Sequence, residues 1–296
     1  MFLSLPGIHE PSAVQQLPDG RLLVAEDEKE HPFSLLTLHA DGRASAVPLN
    51  LDDAGDALGK LDDLEGLAAD AGGSIYAITS HSRDGDGDEK KSREKLVRFR
   101  VEGDRAVAAK VFRGLKPVLA AAHPLLAAAA QTRDVKGAGG LNIEALDVAP
   151  DGRLLIGFRS PLRDGRALLA TLENPGAVFD ADATPLIGAT LESVDLGGEG
   201  LRGMSWIAAL NGYLLISGPV ARESVHFRLW FWPGPGAPAR QATVTGLPGF
   251  EHAEGICPAV IDGRPHLLVV SDDGERKTGR AARFLLLRPE QLEIQA

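Results

Sequence analysis

The stretch E-A-L-D-V-A-P-D-G-R-L-L-I-G-F-R-S, from Glu144 to Ser160, decides the fold. It runs from a polar residue through a small one, an apolar strand, a Gly turn and a second apolar strand to a polar ending. The same order recurs in P-S-A-V-Q-Q-L-P-D-G-R-L-L-V-A-E-D from Pro11 and E-G-L-A-A-D-A-G-G-S-I-Y-A-I-T-S-H from Glu65. It returns in R-G-M-S-W-I-A-A-L-N-G-Y-L-L-I-S-G from Arg202 and E-G-I-C-P-A-V-I-D-G-R-P-H-L-L-V-V-S-D from Glu254. A repeat of roughly fifty residues rich in short strands marks a radial array. The fold expected is all-β: a five-bladed β-propeller of four-stranded antiparallel blades. A ring of this kind is one domain over residues 1–296, which overrides the two domains that length alone would allow.

Each repeat holds a hairpin. Its turn is Asp19-Gly20, Gly72-Gly73, Asp151-Gly152, Asn211-Gly212 or Asp262-Gly263, dipeptides that accept the positive φ of two-residue hairpin loops. Period-2 alternation in Val97-Arg98-Phe99-Arg100-Val101 and His226-Phe227-Arg228-Leu229-Trp230 predicts half-exposed outer strands. The fifth blade lacks an obvious fourth strand after Ala282–Leu287. Leu5-Pro6-Gly7 matches Leu247-Pro248-Gly249, so Phe2–Leu5 is expected to close the last blade; Leu292–Gln295 is the rival for that slot. Closure hides open strand edges. Between the second and third repeats, Gly114–Gly140 carries Ala- and Leu-rich runs split by Pro124, a short helical insert. It leaves and re-enters on the face where the inner strands begin, either as a lid over a site or as a plug over apolar surface.

Lys+Arg 31 against Asp+Glu 41 gives a net charge of −10, a sign that repels phosphate backbones and anionic lipid. Nucleic acid and membranes are therefore not expected partners, and no apolar run reaches the ~18–20 residues of a spanning helix. Cys257 is the single cysteine, so no internal disulfide can form and a reducing compartment is allowed. The N-terminus lacks the basic region and cleavage site of a leader. The expectation is a cytoplasmic monomer.

In a propeller the innermost strand starts, and its hairpin partner ends, on one face. The first positions form a ring of Pro11/Ser12, Glu65, Glu144, Arg202 and Glu254. Small neighbours Ser12, Gly66, Ala145, Gly203 and Gly255 suit the crowding near the axis. The last positions add Glu26-Asp27, Ser80-His81-Ser82, Arg159-Ser160, Ser217-Gly218 and Ser271-Asp272-Asp273. Convergent carboxylates with Arg and His among them predict a polar small-molecule site at the channel mouth. His81, Glu65 and Glu144 are the candidates for proton transfer. Ser80, Arg159, Arg202 and Asp272 are the candidates for holding a small polar or anionic ligand. Asp63, Glu65, Glu144 and Glu254, with Asp62, could bind Ca²⁺ or Mg²⁺, since hard cations take carboxylate oxygens; the other reading is an acidic solvated loop. Asp84, Asp86 and Asp88 resemble a calcium loop, but Glu89 and Lys95 stand where that loop needs Gly and Glu. Cys257 lies inside an apolar strand, unsuited to nucleophilic work. Nucleophile-elbow, P-loop and dinucleotide fingerprints do not occur.

The runs Asp63-Leu64-Glu65-Gly66-Leu67, Ser80-His81-Ser82, Arg93, Asn142-Ile143-Glu144-Ala145-Leu146, Gly157-Phe158-Arg159-Ser160-Pro161, Arg202-Gly203-Met204-Ser205-Trp206 and Ser271-Asp272-Asp273-Gly274 together resemble bacterial domain-of-unknown-function family 3616. The resemblance spans most of the chain and implies a propeller, with no established activity. It draws attention to Arg93 and Arg159 as ligand-binding residues; Ala145 departs from the Gly usual at that place. Two functions remain open from these residues: a metal-assisted hydrolase of a small polar or phosphorylated substrate, or a non-catalytic propeller that binds a ligand or protein at the same mouth.

Overall fold

The computed structural model describes residues 2–27, 31–39, 43–133, 139–220, 226–250 and 252–295. Strand β1 (Leu3–Leu5) precedes blade 1, which is β2 (Pro11–Gln16), β3 (Leu22–Glu26), β4 (Phe33–Leu38) and β5 (Ala44–Pro48). The short helix α1 (Gly55–Leu58) leads to blade 2: β6 (Leu64–Ala69), β7 (Ile75–Thr79), β8 (Leu96–Glu102) and β9 (Arg105–Phe112). Helices α2 (Leu115–Ala122) and α3 (Pro124–Gln131) form the insert, whose residues 134–138 lie outside the described residues. Blade 3 is β10 (Asn142–Val148), β11 (Leu154–Arg163) and β12 (Arg166–Leu172), then helix α4 (Pro175–Ala181) and β13 (Glu192–Val194). Blade 4 is β14 (Gly200–Ile207), β15 (Gly212–Gly218), β16 (Arg228–Trp232) and β17 (Arg240–Val244); β18 (Ala253–Ile261), β19 (Arg264–Ser271) and β20 (Ala282–Leu287) begin blade 5, and β21 (Leu292–Ile294) ends the chain's strands.

Every neighbouring pair within a blade is antiparallel, and the five sheets form a five-bladed propeller. β1 pairs with β20, Leu5 opposite Ala282, so the N-terminal strand closes blade 5 as expected. The rival segment goes elsewhere: β21 pairs with β17 and gives blade 4 a fifth strand, so the blades are not uniformly four-stranded. α1 and α4 were not foreseen, being too short for a helical period to show against the strand pattern.

Apolar faces of adjacent blades meet in five separate cores. Phe33, Leu64 and Phe99 fill the seam between blades 1 and 2, and Ile78, Ile143 and Phe158 that between blades 2 and 3. Ala145, Leu215 and Trp232 lie between blades 3 and 4, Ile216, Leu229 and Val269 between 4 and 5, and Val24, Leu268 and Phe284 close the ring between 5 and 1. Leu115, Leu119 and Leu126 of the insert are fully buried in the second of these seams, so part of the insert's role is to seal it.

The hairpin loops are less uniform than the repeated dipeptides suggested. In blade 5 Ile261 pairs with Arg264, leaving a two-residue loop with positive φ at both Asp262 and Gly263. In blades 1 to 3 the loop holds three residues: Gly20, Gly73 and Gly152 donate back to Leu17, Asp70 and Ala149, and only the Gly has positive φ. That is a type I turn followed by a left-handed residue, the next commonest hairpin solution. Blade 4 spends four residues, with Asn211 left-handed.

Candidate functional site

Every inner strand carries a β-bulge at one place. Pro11 pairs with Glu26 and Ala13 with Ala25, which leaves Ser12 without an opposite residue. Glu65, Glu144, Arg202 and Glu254 are left over in the same way in blades 2, 3, 4 and 5. A bulge takes one residue out of the ladder and re-aims its side chain. The first-position ring read from the sequence is thus a ring of bulged residues. Blade 3 bulges on the partner strand as well: Asn142 pairs with Ser160 and Ile143 with Phe158, which frees Arg159.

Below this ring the axis is nearly closed. A Cβ on Gly66 would lie 2.7 Å from Leu146 Cβ, one on Gly255 would lie 2.9 Å from Ala13 Cα, and one on Gly203 would collide with the carbonyl oxygen of Glu254. The remaining axial void is about 10 Å³, room for about one water. The usable space lies to one side, between blades 2 and 3. There a cavity of about 220 Å³ is lined by Asp63, Glu65, His81, Arg93, Glu144 and Arg159, with Lys116, Ala129 and Ala130 of the insert forming one wall. Lid and plug are therefore two faces of one insert: leucines inward, Lys116 toward the cavity.

Arg202 links the ring, its Nη1 standing 2.7 Å from Glu144 Oε2 and 2.8 Å from Glu254 Oε1. Arg159 Nη1 donates to Glu144 Oε1 at 3.0 Å and its Nε to the carbonyl of Pro219 at 3.0 Å. Asn142 Nδ2 donates to the same Oε1 at 2.7 Å. Glu144 is thus the shared counter-ion of two guanidiniums. Across the cavity Arg93 Nη1 stands 2.9 Å from Asp63 Oδ2. Glu65 differs from both acids: among the described residues no hydrogen bond or ion pair reaches it, and it lines both the cavity and the axial void. Burial first, then repulsion from Glu144, Asp63 and Glu254, pushes its carboxyl well above the usual range, which favours the protonated form.

His81 is 1% exposed, and its backbone is left-handed at φ 55°. Asp63, at φ 63°, shares that conformation, and left-handed non-glycine residues gather where geometry is held for a purpose. His81 Nδ1 lies 2.8 Å from the carbonyl of Thr79; a carbonyl only accepts, so Nδ1 carries the hydrogen. Burial pushes the imidazole down to about 4, which leaves no proton to give at neutral pH and weakens the acid role expected of it.

Three expected ligand-binding residues stand apart from the cavity, the first being Arg202, which bridges Glu144 and Glu254 in the ring. Ser80 Oγ shares a hydrogen with Ser82 Oγ at 2.9 Å, and its carbonyl accepts from Ile143 N, joining blades 2 and 3. Asp272 sits at the blade 5 side of the mouth near Glu10 and Arg202, pushed up to about 6 by burial and by Glu10. The carboxylates singled out for a cation do not fit one. Asp63, Glu144 and Glu254 each face a guanidinium within 3.0 Å, and no three acidic, His or Cys side chains among the described residues are grouped to hold a metal. Asp84 ties its own loop, accepting from Asp86 N and Asp88 N and pairing with Lys90 at 2.9 Å. Lys116, Arg83 and Asn142 were missed as lining residues. Asn142 had a signal, two positions before Glu144 and so on the same face of the strand; Lys116 had none, because the repeat does not say where an insert packs.

No protein-family model matches the sequence, and no curated protein matches it. Among solved structures, a β-xylosidase superposes with a TM-score of 0.54 at 11% identity, over 100% of this chain and 98% of that one. An aldose sugar dehydrogenase of Streptomyces coelicolor gives 0.46 at 15% identity, covering 99% and 96%. A gluconolactonase of Xanthomonas campestris gives 0.42 at 14%, covering 100% and 86%. These neighbours are propeller enzymes; at such identity the first supports the fold alone and the other two carry no argument. Among the described residues, no helix is long and apolar enough to cross a membrane.

Proposed function

We propose that this propeller is a metal-independent hydrolase of a small, polar, anion-bearing substrate, working from the cavity between blades 2 and 3. One observation carries the reading: Glu65 is bulged out of its ladder into the cavity with no hydrogen-bond or ion-pair partner among the described residues, its carboxyl pushed well above the usual range. A carboxylic acid kept neutral at working pH is a proton donor. It would give its proton to the departing oxygen as water bonds to the carbon under attack. The proton released by that water would return to the Glu65 carboxylate, so one residue serves as acid and then as base. Glu144 would fix Arg159 as an anion-binding edge, with Arg93 opposite. The resemblance to family 3616 belongs to this proposal and favours the same two arginines, Arg93 and Arg159.

The test is hydrolysis of a panel of small anionic esters, lactones and glycosides by the wild type and by Glu65→Gln. The expected result is turnover by the wild type and a loss of at least about 100-fold in kcat in the variant, with the circular dichroism spectrum unchanged. Equal rates would overturn the role of Glu65. Binding without any turnover would favour the non-catalytic propeller instead.

A further inference from the structure

Several buried side-chain atoms lack a hydrogen-bond partner, and those of His81, Arg83, Arg93 and Asn142 belong to residues lining this one cavity. Buried polar atoms are rarely left unmatched, and each costs about 1–3 kcal/mol when it is. Their concentration in one place describes what the missing partner must supply. His81 Nδ1 is committed to Thr79 O, so the unmatched Nε2 can only accept. Asn142 donates through Nδ2 to Glu144, which fixes the amide and leaves Oδ1, also an acceptor, unmatched. Two acceptors that cannot donate call for O–H or N–H groups on the ligand.

The opposite demand comes from the cations. Arg83 Nε and Arg93 Nε are unmatched donors, and Arg159 and Lys116 share the same wall. The acidic side chains on that wall are Asp63, Glu65 and Glu144, against four cationic ones, of which Arg83 and Lys116 also pair with Glu89, and Lys116 with Glu94. A neutral polyol would answer the acceptors and leave the cations. Acetate would answer the cations and leave both His81 and Asn142, and HPO4²⁻, with a single P–OH, would leave one of the two. The volume is about 220 Å³, so both requirements must be met by one compact molecule.

We infer that the cavity recognises a small hydroxylated anion, a polyhydroxy acid or its phosphorylated counterpart, with hydroxyls toward His81 and Asn142 and the charge toward Arg83, Arg93 and Arg159. This rests on the hydrolase reading only for the location of the site, since recognition needs no turnover. The acid would be the product side of the reaction, and its internal or external ester the substrate.

The experiment is calorimetric binding to the intact chain, as wild type and as Glu65→Gln. The probes are D-glycerate and D-gluconate, glycerol 3-phosphate, glycerol and D-glucose, and acetate and inorganic phosphate. At least one hydroxylated anion should bind about tenfold or more tighter than both its neutral analogue and the bare anion, the worth of one charge-assisted hydrogen bond. Carboxylate and phosphate members tell the two head groups apart. Asn142→Leu should erase the preference over the bare anion, and Arg159→Gln the preference over the neutral polyol, with melting curves verifying that both fold. Equal binding across the panel, or no binding by any hydroxylated anion, overturns the inference. Selective binding without hydrolysis of the matching ester or lactone would leave the inference standing and remove the hydrolase reading.

Discussion

A residue that drops out of a strand ladder loses its cross-strand neighbour, and what it gains depends on what waits at the mouth. Arg202 gains two carboxylates, Glu144 two guanidiniums and an amide, and Glu65 only the cavity. Asp147 stays in its ladder opposite Leu155, yet burial pushes it up to about 7 although Trp206 N and Val148 N both donate to it. For Glu65 and Asp147 the folded chain keeps a proton that the unfolded chain loses near pH 4. Their contribution to stability is therefore full below that pH and is lost as pH rises through the folded values, near 7 for Asp147. His81 works in the other direction: pushed down to about 4 from 6.5, it supports the fold above pH 6.5 and loses that support as pH falls toward 4. Urea midpoints should fall from pH 6 to 8.5, and Asp147→Asn should flatten that slope by about 1.4 kcal/mol. An unchanged slope would mean that Asp147 is already ionised at pH 6. The arginine-paired carboxylates give a second expectation. Millimolar Ca²⁺ or Mg²⁺ should leave Tm within about 1 °C of its value in chelator; a rise of several degrees that Glu65→Gln abolishes would restore the cation site.

At the scale of the strand, bulge and small residue form one device. The bulge swings the preceding side chain to the mouth, and the small residue after it lets neighbouring inner strands approach. Gly66, Gly203 and Gly255 face Ile78, Ile216 and Val270 on their partner strands, whereas Ala145 faces Gly157. Blade 3 has thus moved its glycine across the pair: a Cβ on Gly157 would lie 2.8 Å from Ala145 Cβ. The departure of Ala145 from the common pattern is compensated there. Gly157→Ala should cost about 1–3 kcal/mol, and adding Ala145→Gly should recover part of it in a double-mutant cycle. Gly203→Ala should cost at least about 3 kcal/mol or prevent folding, because backbone is what it meets. Gly176→Ala in α4, with open space around it, should be neutral or slightly stabilising. Chemical denaturation of the set decides; a tolerated Gly203→Ala would contradict the close approach. This coupling of bulge and small residue is also what made the ring legible, since polar-then-small recurs as a string. What the string could not carry was the lateral offset of the cavity toward blades 2 and 3, set by Lys116 and Ala130 on an insert outside the repeat. Loop lengths were hidden too, because Asp-Gly serves a three-residue turn in blades 1 and 3 and a two-residue turn in blade 5.

For the whole molecule, five seams must all be filled, and the ring holds only if blade 5 meets blade 1. The number of blades was readable because each hairpin repeats a complete pattern. The closure was readable more narrowly, from three residues, Leu5-Pro6-Gly7, and the fate of the last strand was not. β21 and β1 are equally short, but their burial differs: Leu5 is wholly buried in the closing seam with Ile8, Val24 and Phe284, while Leu292 and Ile294 are half-buried at the rim of blade 4. Length gives no hint of which one the ring needs; the neighbours of Leu5 do. Removing residues 2–5 takes away the Leu5 side chain and a three-residue ladder to β20, a loss on the order of 5 kcal/mol, and bares an edge that invites strand pairing between molecules. Removing residues 292–295 bares the edge of β17 and takes the half-buried Leu292 and Ile294 from the rim of the seam between blades 4 and 5, but removes no wholly buried side chain from any seam. Urea midpoints and size-exclusion profiles of the two deletions should therefore separate, the first destabilised and aggregating, the second folded and only slightly less stable. Equal loss in both would mean that the ring is closed by its inner strands alone.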